Sequence, residues 1–304
     1  MTILVFGSLN IDLVTRTPRL PMAGETLTGR SLTAVPGGKG GNQAVACARL
    51  GAPTHMIGRV GGDQFGQQLL DSLTASGINT ESVLIDNETS SGVAAIAVDD
   101  TGENNIIVVP GANGRVNEQN LERLATLLPQ AELLLLQLEV PLPMVTAAAQ
   151  LAHEQGVQVI LDPAPAVPLP DELYPAIDIL TPNETETVVL TGLTLDNDEA
   201  IEQAAAQLLE KGVRQIVIKL GGRGIYAAGA EANGFYPAVM VEVVDTVAAG
   251  DAFNGGLAVA LHGGMPFTAA LQWGLASGAY AVTQSGAQTA MPTRSQLKTV
   301  LNSR

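Results

Sequence analysis

The stretch DTVAAGDAFNGGLAVALH (245–262) carries the residue types that phosphoryl transfer needs. Ala248, Ala249, Gly250 and Asp251 sit where a helical pattern begins, with Phe253, Leu257 and Leu261 on its buried face. Free N–H groups and the helix dipole at such an N-terminus attract anions, and small side chains let a phosphoryl group come close. A carboxylate there takes a proton from a hydroxyl while the amides stabilise charge on the transferring group. Asp251 also reads as the N-cap of that helix, the commoner role for an aspartate in this position. Sequence position leaves both readings open.

PGGKGGNQA (36–44) is the second cluster. Its glycines bring backbone close to a ligand or permit positive φ. Lys39 and Asn42 supply donors, and Asn42 opens an Ala-rich helix to Leu50; a flexible loop capped by Asn42 is the plainer alternative. Further polar residues follow apolar runs: Asn10 and Asp12, Glu139, Asp162, Asn183, Gly221 and Gly222, and Asp245 after VEVV. One polar strand end is a routine turn or cap. A series on one edge is different, because open parallel sheets bind ligands beyond the carboxyl ends of their strands. Asp162 precedes Pro163, so an Asp-Pro turn also accounts for it. With Lys39 and Asn42, the set offers the mixed donors and acceptors that a polyhydroxylated molecule requires.

Two phosphate-binding fingerprints fail. A P-loop ends G-K-[ST], whereas Gly40 follows Lys39 here. Gly222–Ala227 spells G-x-G-x-x-A, but GIYAAG reads as a strand where a dinucleotide fold needs a helix.

The elements that must position these residues alternate along the chain. Strands are expected at 3–9, 55–60, 133–138, 157–161, 177–180 and 215–220. Helices are expected at 63–76, capped by Asp63, and near 142–155, 198–211, 251–262 and 267–284. Such alternation predicts an α/β fold: a mostly parallel sheet with helices on both faces. Residues 12–36 lack a helix period, and 91–109 read as a hairpin around DDTGENN. These segments are expected to form a small projecting sheet whose apolar faces need cover, from substrate or from a second copy of the chain.

Composition bounds the rest. The chain of 304 residues is 46% apolar and 15% charged, which excludes disorder. Its net charge of −15 disfavours nucleic-acid partners. Cys47 is the only cysteine, so neither an internal disulfide nor a Cys-rich zinc site is available. No apolar run reaches the roughly 20 residues of a membrane span. No leader pattern is visible at MTILVFGSLNID. A soluble cytoplasmic protein is expected.

The chain resembles the ribokinase-type carbohydrate kinase family over essentially its whole length. The resemblance is carried by GSLNID (7–12), PGGKGGNQA (36–44), Gln137–Glu139, TPNETE (181–186), KLGGRG (219–224), DTVAAGDAFNGG (245–256) and GAQ (286–288). It implies one α/β domain over 1–304, with a discontinuous β lid from roughly 12–36 and 88–111 that closes over a sugar and pairs in a homodimer. It implies Mg²⁺- and ATP-dependent phosphorylation of a sugar hydroxyl, with D-ribose at O5 as the expected acceptor. The alternatives are a same-family kinase for deoxyribose, another sugar or a nucleoside, and a catalytically silent sugar-binding protein.

By this resemblance Asp251 is the catalytic base, and Ala248, Ala249 and Gly250 form the anion hole. Asn10, Asp12, Gly38, Lys39, Asn42 and Glu139 bind the sugar. Asn183 and Glu186, an N-x-x-E pair, organise the phosphate and Mg²⁺ region. Lys219, Gly221, Gly222 and Gly224 belong to the ATP-binding turn, together with Gly250. A monovalent-cation site, for K⁺, falls to Asp245, Val247, Ala281, Gln284 and Gly286. The sequence departs from the family at Ala290, where a serine hydroxyl often completes that site, and at Lys219, often a small polar residue.

Overall fold

The computed structural model describes residues 1–302. The chain opens with β1 (Thr2–Phe6), β2 (Asn10–Arg16) and β3 (Ser31–Gly37), then α1 (Lys39–Arg49), β4 (Thr54–Gly61), α2 (Gln64–Ala75) and β5 (Val83–Asp86). A hairpin, β6 (Gly92–Val98) and β7 (Asn104–Val109), is followed by α3 (Glu118–Leu127), β8 (Ala131–Leu136), α4 (Leu142–Glu154), β9 (Gln158–Leu161) and the short β10 (Ile179–Leu180). The last third contains α5 (Glu184–Thr191), α6 (Asp198–Glu210), β11 (Gln215–Lys219), β12 (Ile225–Gly229), β13 (Gly234–Tyr236), α7 (Ala249–His262), α8 (Phe267–Val282) and α9 (Arg294–Asn302).

The main sheet has the strand order β13-β12-β11-β10-β9-β8-β1-β4-β5. All its pairs from β11 to β5 are parallel; β12 and β13 add an antiparallel edge. Alternation along β1 shows why helices cover both faces. Ile3 and Val5 join one core with α1, α2, α7, α8 and α9, while Leu4 and Phe6 join the other with α3, α4 and α6. Among the described residues no helix is long and apolar enough to cross a membrane.

A second, four-stranded sheet runs β3-β2-β6-β7. The hairpin expected at 91–109 is β6–β7, paired antiparallel. β2 pairs antiparallel with β3 and parallel with β6, and this sheet leaves Leu32, Ile106, Ile107, Val108 and Val109 at least half exposed.

Several local expectations need correction. The first strand stops at Phe6 rather than Leu9. At Gly7 a Cβ would lie 2.0 Å from Gln137 Oε1, so only a residue without a side chain lets the Gln137 amide come this close. Helix α1 begins at Lys39 with Gly38 (φ 83°) as its N-cap, so Asn42 does not open it. VEVV is not a strand: residues 241–244 have no ladder partner, and Val243 and Val244 are exposed. The helices α3, α5 and α9 and the strand β5 were not anticipated. The α2 expectation is met in detail, since Asp63 accepts from Gly66 N–H as its N-cap.

Helices α7 and α8 approach through glycine. A Cβ on Gly256 would sit 2.2 Å from Ser277 Oγ and 2.7 Å from the Trp273 carbonyl. Gly256→Ala is therefore expected to cost about 1–3 kcal/mol by overpacking, read as a lower urea midpoint at unchanged slope. An unchanged midpoint would show that the helices separate freely.

Candidate active site

Helix α7 starts in an unusual way. Its N-cap, Ala248, is left-handed (φ 57°), the sole non-glycine residue with positive φ among those described. That conformation costs roughly 1–2 kcal/mol, and strain of this kind gathers at functional sites. Ala248 offers no side-chain cap, so the first-turn N–H groups of Gly250 and Asp251 find no side-chain acceptor. They are free to hold an anion. The N-cap reading of Asp251 is thereby overturned: it stands in the first turn, and its carboxylate accepts from two side chains across the sheet edge.

Those donors come from α1. Asn42 Nδ2 donates to Asp251 Oδ2 at 2.9 Å, and Gln43 Nε2 to Asp251 Oδ1 at 3.0 Å. Gln43 Nε2 also donates to Asp162 Oδ2 at 3.0 Å, and its Oε1 accepts from Gln137 Nε2 at 2.7 Å. Asp162 Oδ1 accepts from Lys219 Nζ at 2.7 Å. A continuous chain thus runs Lys219–Asp162–Gln43–Asp251. The turn reading of Asp162 is replaced by membership of this network. Gln43 was absent from the expected site, and Asp162 figured only as one of the polar strand ends, with no role assigned.

Burial raises Asp251 above the ordinary carboxylate range, and Asp162 adds to this, against the opposing pull of Lys39, Asn42 and Gln43. Burial pulls Lys39 down, but Asp251, Asp162, Glu139 and Glu186 outweigh it and hold the ammonium above its usual value. Burial would raise Asp162 too; Lys219 and Lys39 overcome that and keep it below its ordinary value.

A cleft of about 700 Å³ opens in front of α7. Lys39, Asp162, Asn183, Glu186, Lys219 and Asp251 give it a polar floor. Ile225, Met240, Val243, Phe253, Leu275 and Val282 give it an apolar wall. Asn183 and Glu186 form a capping box at the start of α5, with Asn183 N–H donating to Glu186 Oε2 at 2.7 Å and Glu186 N–H to Asn183 Oδ1 at 2.8 Å. Burial pushes Glu186 up. Gly221, Gly222 and Gly224 form the turn between β11 and β12. At Gly224 (φ 98°) a Cβ would lie 2.1 Å from the Tyr236 carbonyl, so no larger residue fits. Gly250 lacks the Cβ that would stand 3.3 Å from Lys219 Nζ, which places this ammonium beside the start of α7.

Behind Asp251 the remaining polar residues gather. Ser8 Oγ donates to Glu139 Oε2, which also accepts from Lys39 N–H at 3.0 Å. Asn10 and Asp12 begin β2, opposite Gly37 and Val35 of β3. A Cβ on Gly37 would fall 2.3 Å from Asp12 Oδ2, so the Asp12 carboxylate lies directly over that glycine. Burial, then Glu139 and Asp251, push Asp12 up to about 7. Asn10, Asp12, Asn42 and Glu139 do not line the cleft, whereas Lys39 and Asp251 do. Asp251 therefore lines the cleft while its carboxylate is bonded to Asn42, which does not.

The fifth group is looser. Asp245 Oδ1 accepts from Val247 N–H and Oδ2 from Gly286 N–H, both at 3.0 Å. Asp245 N–H donates to the Val282 carbonyl at 3.2 Å. The Ala281 carbonyl accepts from Gln284 N–H at 3.0 Å, while the Gln284 side chain turns to Thr283. The two loops are brought together, but the Gln284 side chain does not join Asp245. Ala290 is fully buried.

The pfkB family carbohydrate kinase profile matches residues 2–294. A ribokinase from Haemophilus influenzae is 40% identical over 97% of this chain and 96% of its own length. A deoxyribokinase from Salmonella typhimurium is 37% identical over 99% of each chain. An Arabidopsis thaliana ribokinase complexed with ribose and ATP superposes with a TM-score of 0.91 at 34% identity, covering 99% of this chain and 98% of its own. The chain belongs to the pfkB family of carbohydrate kinases.

Proposed function

We propose that this protein is an ATP-dependent kinase that phosphorylates D-ribose at O5. The observation that carries the reading is the place of Asp251, on the border between a cleft with an apolar wall and a set of hydroxyl-reading side chains. Adenine fits the apolar wall, and the triphosphate runs along Lys219 and the 221–224 turn toward the free N–H groups of α7. The sugar lies among Asn10, Asp12, Gly38, Lys39, Asn42 and Glu139. Asp251 takes the O5 proton as O5 attacks the γ-phosphoryl group; the pKa raised by burial suits a base. Of the expected anion hole, Gly250, with its neighbour Asp251, supplies free backbone N–H groups to the charge that develops, while Ala249 N–H is held by the Thr246 carbonyl at 3.4 Å; positioning does most of the remaining work.

Mg²⁺ arrives with ATP and neutralises phosphate charge. Among the described residues no three His, Cys, Asp or Glu converge on a metal. Glu186 with Asn183 is thus the protein's share of the site, which suits an ion that takes its other ligands from phosphate and water. Asp245, with the 247 and 281–286 backbone, fits a monovalent cation such as K⁺, since one carboxylate and neighbouring carbonyls are at hand. The sheet β3-β2-β6-β7 acts as the lid over the sugar. Its exposed Leu32 and Ile106–Val109 suit burial against a second copy, which sedimentation would detect as a dimer.

The test is ADP release across pentoses, hexoses and nucleosides, with and without K⁺. The highest kcat/KM is expected with D-ribose, with K⁺ raising the rate. Preference for 2-deoxyribose would favour the second reading, which the deoxyribokinase relative supports. Absence of turnover with every acceptor would sink both.

Asp12 gives a pH prediction. It ionises near pH 7, and its ionised form accepts two hydroxyls. The sugar KM is therefore expected to rise as pH falls through 7, and Asp12→Asn should abolish that inflection. A sugar KM that is flat between pH 6 and 8 would remove Asp12 from sugar binding.

A further inference from the structure

Asn113 lies in the turn that leads out of β7, in the short helical segment Gly111–Arg115, and is 1% exposed. Its side chain is held by the backbone of Leu9. Leu9 N–H donates to Asn113 Oδ1 at 2.9 Å, and Asn113 Nδ2 donates to the Leu9 carbonyl at 3.0 Å. A backbone N–H only donates and a carbonyl only accepts, so the Asn113 amide has one possible orientation. Its second Nδ2 proton goes to Asn10 Oδ1 at 2.7 Å. That contact is sealed. At 2.7 Å no water fits between the two amides, and both pack over Gly92, where a Cβ would lie 2.2 Å from Asn10 Oδ1 and 2.2 Å from Asn113 Nδ2.

The consequence falls on Asn10. An asparagine side chain has an accepting end and a donating end and can present either by flipping. Here the accepting end is turned onto Asn113 and packed over Gly92, which leaves the Nδ2 end to face a ligand. Among the described residues Asn10 Nδ2 has no partner. We propose that Asn113 is a positioning residue that fixes which end of Asn10 faces the sugar and presents Nδ2 as a donor, so that the sugar oxygen it meets acts as an acceptor. The inference rests on the reading of Asn10 as a sugar-binding residue. It also gives the two carboxylates and this amide distinct tasks: Asp12 and Glu139 take hydroxyl protons, and Asn10 gives one. Asn113 further ties the exit of β7 to the start of β2, so the amide is set at the root of the small sheet, where its strands leave the main sheet.

Asn113→Asp tests this. The carboxylate still accepts from Leu9 N–H, loses the bond to the Leu9 carbonyl and repels the Asn10 Oδ1 it now faces, so Asn10 flips and offers its oxygen to the sugar. The sugar KM should rise about ten- to a hundredfold, as for a buried polar group left mismatched, with the ATP KM unchanged. A substrate panel in which each hydroxyl is replaced in turn by fluorine adds a second readout, because C–F does not donate. One fluoro-sugar accepted by the parent protein should be rejected by Asn113→Asp. Should that variant fold poorly by thermal melting, Asn113→Ala serves instead, with a smaller rise in sugar KM that vanishes in an Asn10→Ala background. An unchanged sugar KM in both Asn113 variants, with Asn10→Ala defective, overturns the inference and leaves the function standing. Equal shifts in both substrates' KM and in kcat would also overturn it, as a merely structural role. A sugar KM untouched by Asn10→Ala overturns the underlying assignment of Asn10 as well.

Discussion

Asp251→Asn is expected to lower kcat by about 10²–10⁴-fold, the usual share of a general base, with little change in either KM. The fold should survive. Asn42 Oδ1 is buried without a partner and Asn42 Nδ2 faces Asp251, so a flip of Asn42 presents an acceptor to the new amide. Thermal melting checks the fold, and single-turnover phosphorylation checks the chemistry without product release. Turnover within tenfold of the parent protein would take the base role away from Asp251 and leave the α7 N–H groups as the main catalytic device.

Asp162→Ala should cause the largest loss of stability. Asp162 is 1% exposed and pairs with Lys219, whose side chain is 14% exposed. Removing one partner of a buried pair leaves an uncompensated charge and typically costs about 3–5 kcal/mol. Lys219→Met added to Asp162→Ala should restore much of the loss, since an apolar chain then fills the space without charge. A single variant as stable as the parent would show that Lys219 escapes into the cleft at no cost. The pH dependence has a definite sign. Asp162 is held below its ordinary value of 3.8 in the folded state, so its contribution is present above pH 3.8 and is lost as pH falls through its folded value. Asp162→Ala should therefore flatten the acid side of the stability profile.

Much of this arrangement was legible in the sequence, for physical reasons that differ from residue to residue. The parallel sheet followed from the spacing of apolar runs, because such strands are buried on both faces and lack polar alternation. The hairpin β6–β7 followed from a Gly-containing polar turn between two β-branched runs. Asp251 stood out because small residues surround it. Gln43 could not be found in this way. A glutamine at the second position of the expected helix reads as ordinary solvent-facing surface, and only the approach of α1 to α7 turns it toward two carboxylates. Asn113 is a similar case: GANGR reads as a turn, and its partner lies 104 residues earlier. VEVV misled because its branched residues favour strands, yet no neighbouring strand offers it a ladder. The left-handed backbone at Ala248 was equally hidden, since alanine gives no hint of positive φ.

The approach of α1 to α7 has a design consequence. A Cβ on Gly255 would come within 2.3 Å of the Ala46 methyl, so the two helices meet with almost no side chain between them. One helix carries Asn42 and Gln43 and the other carries Asp251, so their separation is set by near-bare backbone. Rotamer changes have nothing there to adjust. On the proposed reading, attempts to retrain this scaffold for a bulkier acceptor should leave that seam alone and randomise the β2 and β3 positions around Asp12.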